Sequence, residues 1–444
     1  MKTLLVSLLI ILASFHFKVN AQVWEVTEIG TLPTSVSNNA VCEGFENGES
    51  FVYSFSGVDS TKSQAGIHLH SYKVNTTTGI SETLPDLPDN SGKIAAAANR
   101  VGDTIYIIGG YHVQSNGSEV SSAKVHRFST QTNSYLSDGL DIPIAIDDHV
   151  QAVWRDSLIF VVTGWSNTSN VPNVQIYNPS LNTWDVGTST PNNHDYKSFG
   201  ASGTIIGDTI YYFGGAASNF SFSIQNQLRK GYINPNNPTD ITWVFEVVDT
   251  QIKGYRMACT SVGNQIHWLG GSNETYNYNG IAYNNTGGVE PNNRDLYYNT
   301  TSNSFWVTNY TNNYPMDLRG IASINDSVKY LAGGMLSNQT VTNKVYELKW
   351  HSTLSSISKK EKNDSFSIYP NPVRRNNFLN LIFSNSKKLK QFTVLAIDGQ
   401  IMLKGKTKSN RYALDISALK NGIYIVNIIE EEASFSQRFI VESI

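Results

Sequence analysis

The sequence is short of thiols, charge and long apolar runs. Only Cys42 and Cys259 occur, too few for a tetrathiolate zinc site. Both fall in short strands of small residues where the equivalent stretches carry Ala or Gly. The expectation is two buried free thiols, packed as small hydrophobes, and no disulfide. Asp, Glu, Lys and Arg make up 16% of the chain and the net charge is −3, which argues against a general nucleic-acid binder. The one long apolar run, Leu4 to Phe15, is too short to span a bilayer stably, and no second stretch reads as a membrane helix. Between Lys2 and the small residues Val19-Asn20-Ala21, that run reads as a secretory signal over 1–21, cleaved between Ala21 and Gln22. No cysteine follows the cleavage site, which argues against a lipoprotein anchor. There is no G-x-S-x-G serine and no His cluster with ligand spacing, so no metal and no cofactor is expected.

What the chain does have is one recurring phrase, a short apolar strand ending in a glycine doublet. It reads Thr104-Ile105-Tyr106-Ile107-Ile108-Gly109-Gly110 and returns at Gly214-Gly215, Gly270-Gly271 and Gly333-Gly334. Weaker copies end in Ser56-Gly57 and Thr163-Gly164. A period of roughly 50–60 residues marks an array of equivalent units. Each glycine strand is β-branched and aromatic. Before it comes a strand of small residues, such as Ala95-Ala96-Ala97-Ala98, joined by a tight polar turn such as Gly102-Asp103. After it come a polar loop and two further strands marked by aromatics, as in Tyr177…Trp184.

Four antiparallel strands per copy, with a small-residue inner strand, make the blade of a β-propeller. Apolar strand, Gly-Gly, then spaced Tyr and Trp resembles the kelch repeat family over residues 22–350. Six copies are countable. The last lacks a fourth strand, and Val23-Trp24-Glu25-Val26-Thr27-Glu28 reads as its replacement, closing the ring and removing open sheet edges. Kelch enzymes that epimerise N-acetylneuraminate are similar in architecture, and that resemblance implies an acidic-sugar enzyme as one alternative. A copper site of the galactose oxidase kind is not expected, because neither cysteine has the required setting.

Residues 351–364 are polar, charged and without periodicity, and read as a linker. Beyond it, alternating strands with Asp-Gly and Asn-Gly turns predict a small antiparallel β-sandwich over 365–444. Tyr369-Pro370-Asn371-Pro372, Asp398-Gly399, Asn421-Gly422-Ile423-Tyr424 and the terminal Phe439-Ile440-Val441 resemble the type A sorting domain of the type IX secretion system. The resemblance implies the secretion machinery as a partner and a secreted or outer-surface location. The fold expected is all-β, a six-bladed kelch-type propeller followed by this sandwich.

Propeller ligands sit where the inner strands begin. Aligning the copies on their doublets brings Asn39, Lys93, His149, Lys197, Arg256 and Arg319 into one column, flanked by Asp147, Asp148, Asp195, Tyr196, Tyr255 and Asp317. Two readings of this column stand. Convergent Lys and Arg form an anion pocket, with Tyr196 and Tyr255 offering apolar faces to a sugar ring. Alternatively, the cations pair with the adjacent aspartates and close the channel mouth. Tyr111, His112, Trp165 and Asn273, in loops after the doublets, are candidates for the same rim. The function expected is recognition of a glycan or protein at this mouth, with a structural adhesion role as a further alternative.

Overall fold

A computed structural model describes residues 23–309, 314–351, 366–375, 377–383, 389–396, 400–430 and 433–442. The segment read as a signal, with Ala21 and Gln22, most of the 351–364 linker, and Gly399 lie outside the described residues. The chain forms two compact units divided between Ser352 and Thr353.

Among the described residues, the first unit has two small two-stranded hairpin arms and six successive antiparallel sheets, each built on a four-strand path. Their innermost strands are Ala40–Glu46, Ile94–Val101, Val150–Trp154, Ser202–Ile206, Ala258–Val262 and Ala322–Ser323, belonging to blades 1 to 6. Neighbouring blades meet through buried clusters, such as Phe55, Ala96, Ile107 and Phe128 between blades 1 and 2. Blade 6 takes its outermost strand from the start of the chain. Val23–Thr31 pairs antiparallel with Lys344–His351, with Trp24 opposite Trp350. Trp24 is buried against Trp350 and His267, at ring separations of 5.0 and 5.4 Å.

The glycine doublets hold the blades to one another. In all six copies both positions of the doublet have positive φ, including Ser56 and Thr163 where the first glycine is replaced. The second glycine donates its N–H to a carbonyl of the next blade every time. These bonds are Gly57 to Lys93, Gly110 to Ile146, Gly164 to Ser198, Gly215 to Gly254, Gly271 to Pro315 and Gly334 to Val36, at 2.8–3.2 Å. A Cβ on that glycine would fall within 2.8 Å of backbone oxygen in every blade, for example 2.7 Å from Ile94 O at Gly110. Only glycine combines this approach with the left-handed conformation. The first position tolerates a side chain in two blades, so the weaker copies keep the glycine that matters.

Both cysteines are free. Cys42 is buried, but Cys259 is half-buried, because its strand flank opens on the axial channel. Burial pushes both thiols well up from their ordinary range.

The second unit has a three-stranded and a five-stranded sheet, closed over a core that includes Leu379, Leu381, Val394, Leu414, Val426 and Phe439. One pairing departs from an all-antiparallel sandwich: Val373–Arg374 lies parallel to the last strand, with Val373 opposite Val441. Asn371 of the Tyr369-Pro370-Asn371-Pro372 motif fixes this join. Its Nδ2 donates to Arg438 O at 2.8 Å and its Oδ1 accepts from Ile440 N–H at 3.0 Å. Tyr424 of the Asn421-Gly422-Ile423-Tyr424 motif donates its hydroxyl proton to Lys420 O at 2.9 Å, bracing the turn around Gly422.

Candidate functional site

At or shortly before the start of each inner strand, one residue per blade takes the left-handed conformation: Asn38, Ala95, Asp148, Gly200, Arg256 and Asp317. These residues are chained around the axis. Asn38 N–H donates to Asp317 O, Ala95 to Asn38, Asp148 to Ala95, Gly200 to Asp148 and Arg256 to Gly200, at 2.8–3.3 Å. Leu318 N–H completes the circuit onto Arg256 O at 3.0 Å.

The column aligned on the doublets does not share this level. Only Arg256 belongs to both. The interval from the left-handed residue to the second glycine runs from 15 residues (Ala95 to Gly110) to 19 (Asn38 to Gly57), so alignment on the doublets slips the register. Asn39 donates from Nδ2 to Ser54 Oγ and Ala332 O, tying blade 1 to blade 6. Lys93 is buried and turned to Asp89 at 2.6 Å and His126 Nε2 at 3.1 Å. Lys197 is half-buried, and its carbonyl accepts from Gln225 Nε2 at 3.1 Å. His149 and Arg319 face the axial channel. Tyr255 is buried beneath the Arg256 guanidinium, 5.1 Å from its ring centre.

The cations of the mouth are compensated by the flanking aspartates. Arg256 grips Asp148 with Nε at 3.1 Å and Nη2 at 2.6 Å, and reaches Asp317 with Nη1 at 2.9 Å. All three side chains are buried. Arg319 donates from Nη2 to His149 O at 2.8 Å and lies 3.5 Å from Asp148. Although burial opposes it, the two guanidinium groups hold Asp148 below the ordinary carboxylate value. Asp317 also accepts from Ser37 Oγ at 2.7 Å and Asn38 Nδ2 at 3.1 Å. It has the weaker share of Arg256, so burial wins and its carboxyl is raised. Of the two readings of the column, the geometry follows the paired one at Arg256 and Arg319.

Two cavities lie on either side of the ring. On the loop side is a pocket of about 110 Å³. Tyr111, Trp165, Phe199, Phe222 and Tyr283 supply its aromatic walls, with Glu119, Asp147, Asp148 and Arg256 as its charged groups. The loops after the doublets build it. The strand Thr104–Val113 runs on past its doublet and pairs with Glu119–Ser121, placing Glu119 opposite Val113. Trp165 sits in a two-residue hairpin arm, edge-on to Phe199 at 5.4 Å and Phe222 at 5.6 Å. Thr275 Oγ1 pins the Phe222 loop by donating to Phe222 O at 2.7 Å. Asp147 is buried, accepts from Ser121 Oγ at 2.5 Å, and is pushed well up by burial and by the neighbouring Asp148 carboxylate. Glu119 is solvent-accessible at the rim of this concavity, and the protein mass around it raises its carboxyl above the ordinary value. Asp147 and Asp148 are thus adjacent carboxyls driven apart, the pattern that separates an acid from a stable anion.

Trp165 and Tyr111 were candidates on loop position alone, whereas Glu119, Phe199, Phe222 and Tyr283 carried no signal. They lie in variable loops whose convergence depends on the closed ring.

Beyond the ring is a polar channel of about 390 Å³ lined by inner-strand residues of all six blades. Burial lowers His149 to about 4, so it faces the channel uncharged. Lys329, also buried there, makes no ion pair among the described residues, and desolvation lowers it from 10.5 to about 8. A buried amine depressed in this way costs stability wherever it is charged in both states. The cost is therefore full below about pH 8 and disappears as pH rises towards 10.5. Lys329→Met is expected to raise unfolding free energy at pH 7 by about 1–3 kcal/mol. Urea titrations at pH 7 and pH 10 check this, with the gain shrinking at the higher pH.

Residues 367–442 match the family described as secretion system C-terminal sorting domain. Over 175 residues, 39% of this chain, the sequence is 22% identical to Kelch-like protein 36 of Bos taurus. The match spans about a quarter of that relative's length. The solved structure titled "Structure of YjhT" superposes with a TM-score of 0.55 at 14% identity, covering 72% of this chain and 99% of the other. At that identity the likeness shows the fold alone. The first unit is a kelch-type propeller, and the second is a type IX sorting domain that directs the chain to the cell surface or beyond.

Proposed function

Starting from a kelch-type propeller exported through its C-terminal sorting domain, we propose that the protein binds a saccharide in the aromatic pocket on its loop face. The observation that carries this reading is the composition of the walls. Tyr111, Trp165, Phe199, Phe222 and Tyr283 surround a cavity with only a few polar groups, Glu119 and Asp147 among them. A sugar ring has apolar C–H faces and a rim of hydroxyls. Aromatic walls take the faces, and a small number of convergent polar groups fix the orientation. At about 30 Å³ per water, the 110 Å³ cavity holds about four waters, which suits part of one sugar ring rather than a buried chain.

Isothermal titration of the full chain with a panel of monosaccharides tests the reading. Trp165→Ala is expected to weaken binding at least roughly tenfold, as loss of a central aromatic contact does. A folded protein that binds no sugar on the panel overturns the reading.

The raised Asp147 beside the lowered Asp148 favours a second reading, acid–base chemistry on the bound sugar. Turnover that is lost in Asp147→Asn, with sugar binding retained, would establish an enzyme.

A further inference from the structure

Resting on the saccharide reading above, we propose that the loop-face pocket selects a sugar carrying a free primary ammonium group, held by the Glu119 carboxylate among the rings of Trp165, Phe222 and Tyr283.

The charge inventory of the pocket points this way. Arg256 is its one lining cation, and it spends all its donor nitrogens on Asp148 and Asp317. Arg319, behind the ring, is directed at Asp148 and the His149 carbonyl. These two cations and two anions compensate one another. Glu119 and Asp147 are left over. Among the described residues neither forms an ion pair: the Arg256 charge and then Asn277 lower Glu119, and Ser121 and then the more distant Arg256 charge lower Asp147, but burial and the Asp148 carboxylate outweigh them in both. The remaining ionisable groups facing Glu119 are the carboxyls of Asp147 and Asp148 and the phenols of Tyr111, Tyr278 and Tyr283, which bring no positive charge. The pocket is therefore an aromatic chamber with surplus carboxyl and no available cation.

An ammonium ion is the ligand group that answers both features. It is attracted to aromatic faces, and more so where water is excluded. It also forms charge-assisted hydrogen bonds with a carboxylate. Both leftover carboxyls lie above their ordinary values, and a bound cation would bring them back down. An acidic sugar meets the opposite situation, because every guanidinium at the mouth is already engaged. A neutral or N-acetylated sugar fills the same space but leaves the Glu119 charge unanswered. Binding should accordingly strengthen as pH rises through the Glu119 transition, and weaken again when the amine loses its proton.

The test is isothermal titration of the full chain, at low ionic strength and pH 6.5, with D-glucosamine, D-glucose, N-acetyl-D-glucosamine and the matching galactose series. An N-α-acetyl-lysine amide probe is included. The expected result is at least tenfold tighter binding of an amino sugar than of its hydroxyl and N-acetyl counterparts. Glu119→Gln should bring the affinity for the amino sugar down to that of its hydroxyl counterpart; Glu119 is at the surface, and circular dichroism checks that the variant folds. Equal affinity for the three members of a series overturns the inference and leaves the saccharide reading standing. So does a preference that survives Glu119→Gln. Binding of the lysine probe with no binding of any sugar overturns it in favour of a protein ligand. Failure of every probe sinks the saccharide reading itself.

Discussion

Arg256→Ala is expected to destabilise the propeller by about 3–5 kcal/mol, the cost of removing one partner from a buried ion network. The guanidinium contributes three charge-assisted hydrogen bonds, two to Asp148 and one to Asp317. Its removal leaves Asp148, 2% exposed, with only the more distant Arg319 at 3.5 Å, and Asp317, 0% exposed, with no ion-pair partner among the described residues. Neither can turn to solvent, since both belong to the ring whose backbone bonds join the blades. Urea unfolding with the linear extrapolation method measures the loss. A change below 1 kcal/mol would show that the network is dispensable.

The pH dependence of the same network has a defined sign. Asp148 is lowered in the folded protein relative to 3.8 in the unfolded chain. Its stabilising contribution is therefore present above about pH 4 and lost as pH falls through the folded value. Asp317 and Asp147 are raised, and their contributions run the other way, since protonating them relieves buried charge. Acid titration of Asp148→Asn should accordingly show a flatter loss of stability below pH 4 than the parent.

The second large effect is expected at the ring closure. Trp24→Ala should cost about 3–5 kcal/mol, as truncation of a buried Trp does. The indole is 2% exposed and in ring contact with Trp350 and His267. It bridges blade 6, which carries Trp350, to blade 5, which carries His267. Deleting Val23–Thr31 altogether uncovers the Lys344–His351 edge and should yield a protein that self-associates, because an open strand edge templates further pairing. Size-exclusion chromatography reads the second effect and urea titration the first. Glu28→Ala on the same strand is the control. Its ion pair with Lys344 is about half exposed on both sides, so the unfolding midpoint should not move.

How far the sequence reaches can be judged at particular residues. The glycine doublets were legible because their constraint is local: a left-handed turn whose second residue lies against a neighbour's backbone. That Ser56-Gly57 and Thr163-Gly164 belong to the set follows from the same constraint, which acts on the second position. Trp24 was legible as a closing strand because alternation and the missing fourth strand of the last copy required one. Tyr369-Pro370-Asn371-Pro372 was legible because Asn371 must satisfy two backbone groups of the last strand. Each of these signals depends on a residue's immediate partners.

The pocket is a different case. Lys93, Lys197 and Arg319 looked convergent in sequence, but loops of unequal length place them at different depths. The cations turn to whichever carboxylate lies nearest, Asp89 for Lys93 and Asp148 for Arg319. The pocket itself draws Glu119, Trp165, Phe222 and Tyr283 from four loops up to 164 residues apart. Trp165 was marked only by its place after a doublet, and nothing in their loops marks Glu119, Phe222 or Tyr283, since their meeting depends on six blades closing at one radius. By itself the sequence determined the repeat, the closure, the second domain and the export address, because those are written in periodicity and near-neighbour chemistry. Only the tertiary structure decided which charges cancel and which remain to face a ligand, because that depends on distances across the ring.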